Sequence, residues 1–212
     1  MRCLFLLTLL FSSGSLSFAQ NDFWFRVTDS SHHQAFIDTK GTVRIPYGKY
    51  EYILTDTLKH FAFVFNQEIG VVAINKQEEV LFKPLIVDNF QPDIPNNGLF
   101  RIVEDEKIGF ANLRGEIVII PCFEAVRPFQ DSIAAFCVGC EMEYDAFEYG
   151  YWSGGIWGFI NYDGDVIVEP QYDDLGLWNN RLVVKKNGVV YSIDGKGNIY
   201  KPLPSSAKPW FH

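Results

Sequence analysis

The sequence predicts an all-β fold: a tandem repeat of short β-meander units, arranged as a superhelical array or a small propeller-like ring. Three observations predict it. A polar residue that closes a short apolar run recurs at Asp38, Asn75, Asn112, Asn161 and Asp194, at intervals of 37, 37, 49 and 33 residues, the near-constant spacing of a supersecondary unit in tandem. Each is followed by a turn, a second apolar run rich in Val, Ile and Phe, and a proline, which is the pattern of a β-hairpin. No stretch of ten or more residues beyond the N-terminal segment shows helical periodicity.

The units follow in order. The first carries Ala35-Phe36-Ile37, a turn at Lys40-Gly41, Val43 to Ile45, and Pro46. The second has Val71 to Ile74, the turn Lys76-Gln77-Glu78, Val80 to Phe82, and Pro84. In the third these parts are Ile108 to Ala111, Leu113-Arg114-Gly115, Ile117 to Ile120, and Pro121. The fourth runs from Ile156 to Tyr172 around a turn at Asp163-Gly164, where positive φ is tolerated, and reaches Pro170. The fifth has Val189 to Ile193, Gly195-Lys196-Gly197, Ile199-Tyr200, and Pro202. After the proline, further apolar segments at Phe61 to Phe65, Leu99 to Val103, Ile133 to Val138 and Leu182 to Val184 make each unit a meander of three or four strands. One meander cannot bury both faces, so neighbours must cover one another, and the irregular first and last units read as caps.

Met1 to Ala19 stands apart. Arg2 supplies one positive charge, Leu4 to Phe11 is almost wholly apolar, and Ser17-Phe18-Ala19 offers small residues before Gln20, as a secretory signal peptide requires. The apolar run of roughly ten residues falls short of the ~20 a spanning helix needs. Cys3 lies far from the position a lipoprotein signal would use. The reading is residues 1–19 as signal and 20–212 as a single repeat domain of about five units, exported to the periplasm or the exterior, with no membrane span after cleavage.

Without Arg2 the 18 basic residues become 17 against 26 acidic ones, a net charge of about −9, which repels phosphate backbones and anionic lipid and sets nucleic acid aside as a partner.

Trp157-Gly158-Phe159-Ile160-Asn161, followed by Asp163-Gly164-Asp165-Val166-Ile167-Val168-Glu169-Pro170-Gln171-Tyr172-Asp173, resembles a unit of the WG-repeat proteins, bacterial tandem β-repeat proteins that often carry export signals. Other units depart from it: Val71, Ile108 and Val190 take the tryptophan position, and Val72 and Tyr191 the glycine position. The resemblance spans roughly residues 35 to 203, implies a binding or interaction scaffold, and brings no catalytic residues.

Three cysteines remain after the signal. Cys122 lies in an apolar, strand-like setting and reads as a buried free thiol. Cys137-Val138-Gly139-Cys140 is followed by Glu141, Glu143, Asp145 and Glu148. Negative neighbours destabilise a thiolate, so a structural disulfide is favoured over a redox pair, its small loop contributing roughly 2 kcal/mol. No second Cys or His pair completes a zinc site, and His32-His33 would point to opposite faces of a strand. Asn161 to Asp165 has the acids of a calcium loop, but its glycine stands fourth and Glu169 comes too early. Neither metal nor cofactor is expected.

The long interval between Asn112 and Asn161 marks an insertion at 139–155 that holds Tyr144, Phe147, Tyr149, Tyr151 and Trp152. Insertions in repeat arrays map to surface loops, often on the binding face. Five aromatics there either bind something, with sugars or a cationic protein surface as candidates, or fold down onto the array. Trp157 reads as a core position.

Signatures of common hydrolases, phosphate loops and dinucleotide sites are absent, and Glu104-Asp105-Glu106 lies in a turn. The expectation is a non-catalytic module that binds a protein or glycan of the cell envelope. The alternative is an envelope glycan hydrolase with paired carboxylates far apart in sequence, and a third, weaker one is a thiol oxidoreductase using Cys137 and Cys140.

Overall fold

The computed structural model describes residues 23–144 and 150–211. Residues 1–19, read as a signal, lie outside the described residues, as do Phe147 and Tyr149.

The polar residue used to align the repeats does the same work in all five units. The side-chain Oδ1 of Asn161 accepts the backbone N–H of Asp163 at 3.0 Å and of Asp165 at 2.9 Å. Asp38 does so for Lys40 and Thr42, Asn75 for Gln77 and Glu79, Asn112 for Arg114 and Glu116, and Asp194 for Lys196 and Asn198. The backbone of the same residue closes the loop from both ends: Asn161 N–H donates to Asp165 O, and Gly164 N–H to Asn161 O. The result is a three-residue hairpin loop, a turn followed by one left-handed residue. Gly164 takes that position at φ 84°, whereas Asp163 does not need it. Because Asn161 Oδ1 is committed to two amides, the loop is a hairpin connection, as its spacing indicated.

Each loop joins the second and third strands of an antiparallel meander. Unit one consists of Trp24–Thr28, Gln34–Ile37 and Val43–Ile45, and unit two of Ala62–Asn66, Gly70–Ile74 and Val80–Pro84. Unit three is Leu99–Glu104, Lys107–Asn112 and Ile117–Phe123, and unit four is Ala134–Tyr144, Gly150–Ile160 and Val166–Tyr172. Unit five is Arg181–Lys186, Val189–Ile193 and Ile199–Pro202. A short fourth strand precedes several units, pairing with their first strand: Tyr52–Ile53 before unit two, Ala125–Val126 before unit four and Asp174–Trp178 before unit five. Trp210–Phe211 closes the far edge by pairing with Asp174–Trp178. Among the described residues no strand of unit one pairs with a strand of unit five, so the hydrogen-bonded array is open.

The cores lie between units. Phe36 and Ile45 of unit one meet Ala62, Val64, Val72 and Ile74 of unit two. Ala73 and Phe82 of unit two meet Phe100, Ile102 and Ala111 of unit three. Ile108, Phe110 and Ile119 of unit three meet Ala134, Phe136 and Ile160 of unit four, and Trp157 and Phe159 of unit four meet Val184 and Ile193 of unit five. Strand alternation produces this arrangement: Val72 and Ile74 face one junction while Ala73 faces the next, and Ala134 and Phe136 face one junction while Ala135 and Cys137 face the other. Inner strands buried on both sides must be apolar throughout, which is why Val71 to Ile74 and Ile108 to Ala111 read as continuous apolar runs.

The loops also lock successive units. A Cβ on Gly164 would touch Ile119 of unit three at 3.2 Å, and one on Gly115 would touch Leu81 of unit two at 3.1 Å. Cys122 departs from expectation. It lies on Ile117–Phe123 but faces outward as an exposed free thiol, since Ile119 and the adjacent Phe123 take the inward face. Its thiol is nonetheless shifted to higher pKa by partial burial.

Candidate functional site

The insertion is an arm. Unit four's first and second strands each run 11 residues and pair from Ala134↔Ile160 out to Tyr144↔Gly150. At its base the register skips Gly139 and Gly155 between Val138↔Ile156 and Cys140↔Gly154, and a disulfide joins Cys137 to Cys140 with their Cα atoms 5.9 Å apart. Cys137 is buried in the junction with unit five, so the bridge ties the root of the arm to the core. A side chain on Gly155 would begin 2.6 Å from the Cys137 sulfur, so the disulfide requires glycine opposite it.

Cross-strand partners share a face, and successive residues alternate. Met142↔Trp152 and Tyr144↔Gly150 therefore define one face, and Glu141↔Ser153 and Glu143↔Tyr151 the other. The Tyr151 hydroxyl donates to Glu143 Oε2 at 3.0 Å, as two side chains on one face should. The structure thus divides the aromatics that the sequence grouped. Trp152 folds down and packs against the cores on both sides of unit four. Tyr144 stays 69% exposed, and Tyr151 stands on the acidic side. The alternation in Glu141-Met142-Glu143-Tyr144 is the signal that would have revealed this division.

Beneath the Met142, Tyr144 and Trp152 face lies a cleft of about 610 Å³, whose opposite wall is Leu85, Ile86 and Val87 and whose floor includes Arg101, Arg127 and Pro128. Three units build it: the segment after Pro84, the first strand of unit three with its connection to unit four, and the arm. Among the described residues, none that lines it is a carboxylate.

The two arginines differ. Arg101 is held bidentately by buried Asp93, Nε to Oδ2 at 2.9 Å and Nη2 to Oδ1 at 2.7 Å, and its Nη1 donates to Val126 O at 3.2 Å. Arg127 sits 5.4 Å above the Trp157 ring, and its buried Nε has no partner. Burial, then the charge of Arg101, lowers its pKa from the ordinary arginine value, while Asp174 acts in the opposite direction. Asp174, itself partly buried, is raised by desolvation and is not within ion-pair reach of Arg127. Arg127 also lines a second, smaller cleft of about 240 Å³ with Leu175, Leu177 and Leu182 of the next unit. Sequence reasoning missed Arg101, Asp93 and Arg127, which belong to no motif.

Trp157 is 2% exposed, in the core between units four and five, and the next residue explains the pair. A Cβ on Gly158 would lie 2.5 Å from Val168 O and 2.9 Å from Pro170 N, so only glycine lets the third strand cross here. Gly109 meets Ile119 O and Pro121 N in the same way. Residues 108–139 and 157–189 match the family model of the WG-containing repeat. Those two segments are WG-containing repeats. The two matched WG segments together make up under a third of the chain. The first ends at Gly139 and the second begins at Trp157, so the arm falls between them as an addition to the WG pattern. No curated protein matches the chain. Among the described residues, no three His, Cys, Asp or Glu side chains cluster as a metal site would need, and no helix is long and apolar enough to cross a membrane.

Proposed function

We propose that this protein with WG-containing repeats is an exported, non-catalytic interaction module, and that the arm of unit four with the cleft beneath it is its contact surface. The observation that carries the proposal is the cleft itself: a concavity built from three successive units, roofed by a segment absent from the repeat pattern, with an exposed Tyr144 at its rim and, at its floor, an arginine whose buried Nε has no partner. Exposed aromatic and apolar surface gathered around a few polar groups is the usual composition of a binding surface. Export is supported by the charge and apolar pattern of Met1 to Ala19 and by a disulfide of the kind that persists in oxidising compartments.

The test replaces residues 139–155 by Asn-Gly, a two-residue turn that can close Val138 onto Ile156. Intact and trimmed proteins, both shown to be folded by circular dichroism, are used to capture components of an envelope extract from the source cell. Retention by the intact form alone is expected. Equal retention by both forms would move the contact surface elsewhere, and release of reducing ends from cell-wall polysaccharide would replace the proposal with a hydrolase.

A further inference from the structure

The two arginines in the cleft indicate what it accepts. Arg101 is committed, each of its three guanidinium nitrogens donating to Asp93 or to the Val126 carbonyl. Arg127 is not: its buried Nε has no hydrogen-bond partner, no ion pair with a described residue reaches its guanidinium, and Trp157 covers one of its faces. Asp174, the acid whose charge reaches Arg127, forms no ion pair with it; a buried guanidinium nitrogen left without a hydrogen-bond partner is costly, and stacking on an indole offsets only part of that cost. An anionic oxygen entering the cleft would meet a planar, pre-oriented fork, the geometry that binds carboxylates best. Among the described residues of the arm, the acids Glu141 and Glu143 lie on its opposite face.

The walls select the class of molecule that carries the anion. Ile86, Val87 and Met142 are exposed and flank the floor, with Tyr144 at the rim. Aliphatic and thioether walls match the side chains of a polypeptide, and methionine, arginine and aromatics are the residues enriched at protein interfaces. A sugar face stacks on flat aromatic rings, and the wall formed by Leu85, Ile86 and Val87 has none.

We propose that the cleft recognises an extended protein segment that presents a carboxylate between apolar residues, with the carboxylate docking on Arg127. The proposal rests on the arm being a contact surface and adds the identity of what it contacts. The carboxylate can belong to an Asp or Glu side chain or to a chain terminus.

The probes are immobilised short peptides with apolar flanks in three forms: internal Glu with an amidated end, no acid with a free C-terminal carboxylate, and internal Gln with an amidated end. Oligogalacturonate serves as an acidic glycan. One or both acidic peptides should be retained about tenfold or more over the neutral one, as expected for a charge-assisted pair, and which of the two binds identifies the source of the carboxylate. Arg127→Gln should abolish the preference. If that variant fails to fold, Tyr144→Glu, at an exposed position, should abolish it by like-charge repulsion. Equal retention of acidic and neutral peptides, a preference that survives in both variants, or retention of oligogalacturonate alone would overturn the proposal. Arm-dependent capture from the envelope extract could persist in each of those cases, so the failure of this assignment is distinguishable from failure of the interaction reading.

Discussion

Units two and four share a loop and diverge three residues before it. In unit four Gly158 admits the Val168 carbonyl, and the third strand, Val166–Tyr172, continues past it to pair Trp157 with Tyr172. Unit three repeats this with Gly109 and the pair Ile108↔Phe123. In unit two Val72 fills the equivalent place, pairing within the unit ends at Ala73↔Phe82, and Lys83 and Pro84 instead pair with Val103 and Ile102 of unit three. Units two and three are thereby fused into one seven-stranded sheet, whereas unit four keeps a four-stranded sheet of its own. Across units two to four, glycine at this position therefore goes with a unit that closes on itself and valine with one that hands its last strand to its neighbour, and the bulky residue beside it decides how well the junction fills.

The largest effect should come from that bulky residue. Trp157→Ala removes a side chain buried between units four and five and should destabilise by about 4 kcal/mol, whereas Val71→Ala at the matching position of unit two removes two methyl groups and should cost about 1.6 kcal/mol. Urea unfolding of both variants checks the ratio, and equal losses would mean that the tryptophan is not the keystone of its junction. Gly158→Val comes next. Its side chain would meet a backbone carbonyl and a proline nitrogen, neither of which is a flexible group that can swing away, and overpacking of this kind costs about 3 kcal/mol. Val72→Ile in unit two enlarges a residue in ordinary core packing and should cost less than about 1.5 kcal/mol. A Gly158→Val protein with unchanged stability would remove the explanation of why the two units differ.

These two positions also show how far the sequence could be read. The loops were legible because a side-chain oxygen at one position and a left-handed residue three later are chemical requirements that leave Asn or Asp, and mostly Gly, at fixed offsets. The arm was legible as an excess of length between Asn112 and Asn161. The leading strands were not: Tyr52–Ile53 and Ala125–Val126 are two residues long, too short for any periodicity to register. The cleft was illegible for a different reason. Leu85, Arg101, Arg127 and Tyr144 come together only when three units stack, and what distinguishes Arg127 from Arg101 is the presence of Asp93, a tertiary fact with no local trace. Cys122 was misjudged because the apolar character of its strand was read without the pleat that turns it outward.

Loop chemistry supplies a contrast between the end units and the middle ones. Units one and five close their loops with Asp38 and Asp194, and the middle three with Asn. The Thr42 amide is the main group holding Asp38 below the ordinary carboxyl value of 3.8, with Arg44 and Lys40 assisting against desolvation. The side-chain amide of Asn198, followed by its backbone N–H, holds Asp194 lower still. A carboxyl that is a stronger acid folded than unfolded contributes stability that is complete above about 3.8 and is lost as pH falls through the folded value. The end units should therefore loosen in acid before the middle ones, and Asp38→Asn with Asp194→Asn should flatten the decline in thermal stability between about pH 5 and about pH 2. A parallel decline in the doubly substituted protein would locate the acid sensitivity elsewhere.

The smallest effect concerns the one loop that lacks glycine. Glu78 holds the left-handed position at φ 62°, where the other loops have glycine at 81° to 84°, and that conformation costs a non-glycine residue about 1–2 kcal/mol. In return its carboxylate pairs with Lys49 at 2.7 Å and accepts the Tyr50 hydroxyl at 3.0 Å, tying unit two to unit one by polar contacts where later units use glycine packed on a strand. An ion pair this exposed contributes at most about 1 kcal/mol, so Glu78→Gly should gain less than about 1 kcal/mol in net stability. A second readout separates relief of strain from loss of the contact. Burial first, and then the hydrogen bond and charge of Glu78, push the Tyr50 pKa up to about 12. Removing the carboxylate should bring that pKa down while burial keeps it above the ordinary tyrosine value. An ultraviolet titration in which Tyr50 does not move would show that Glu78 stays at this position for a reason other than the junction it bridges.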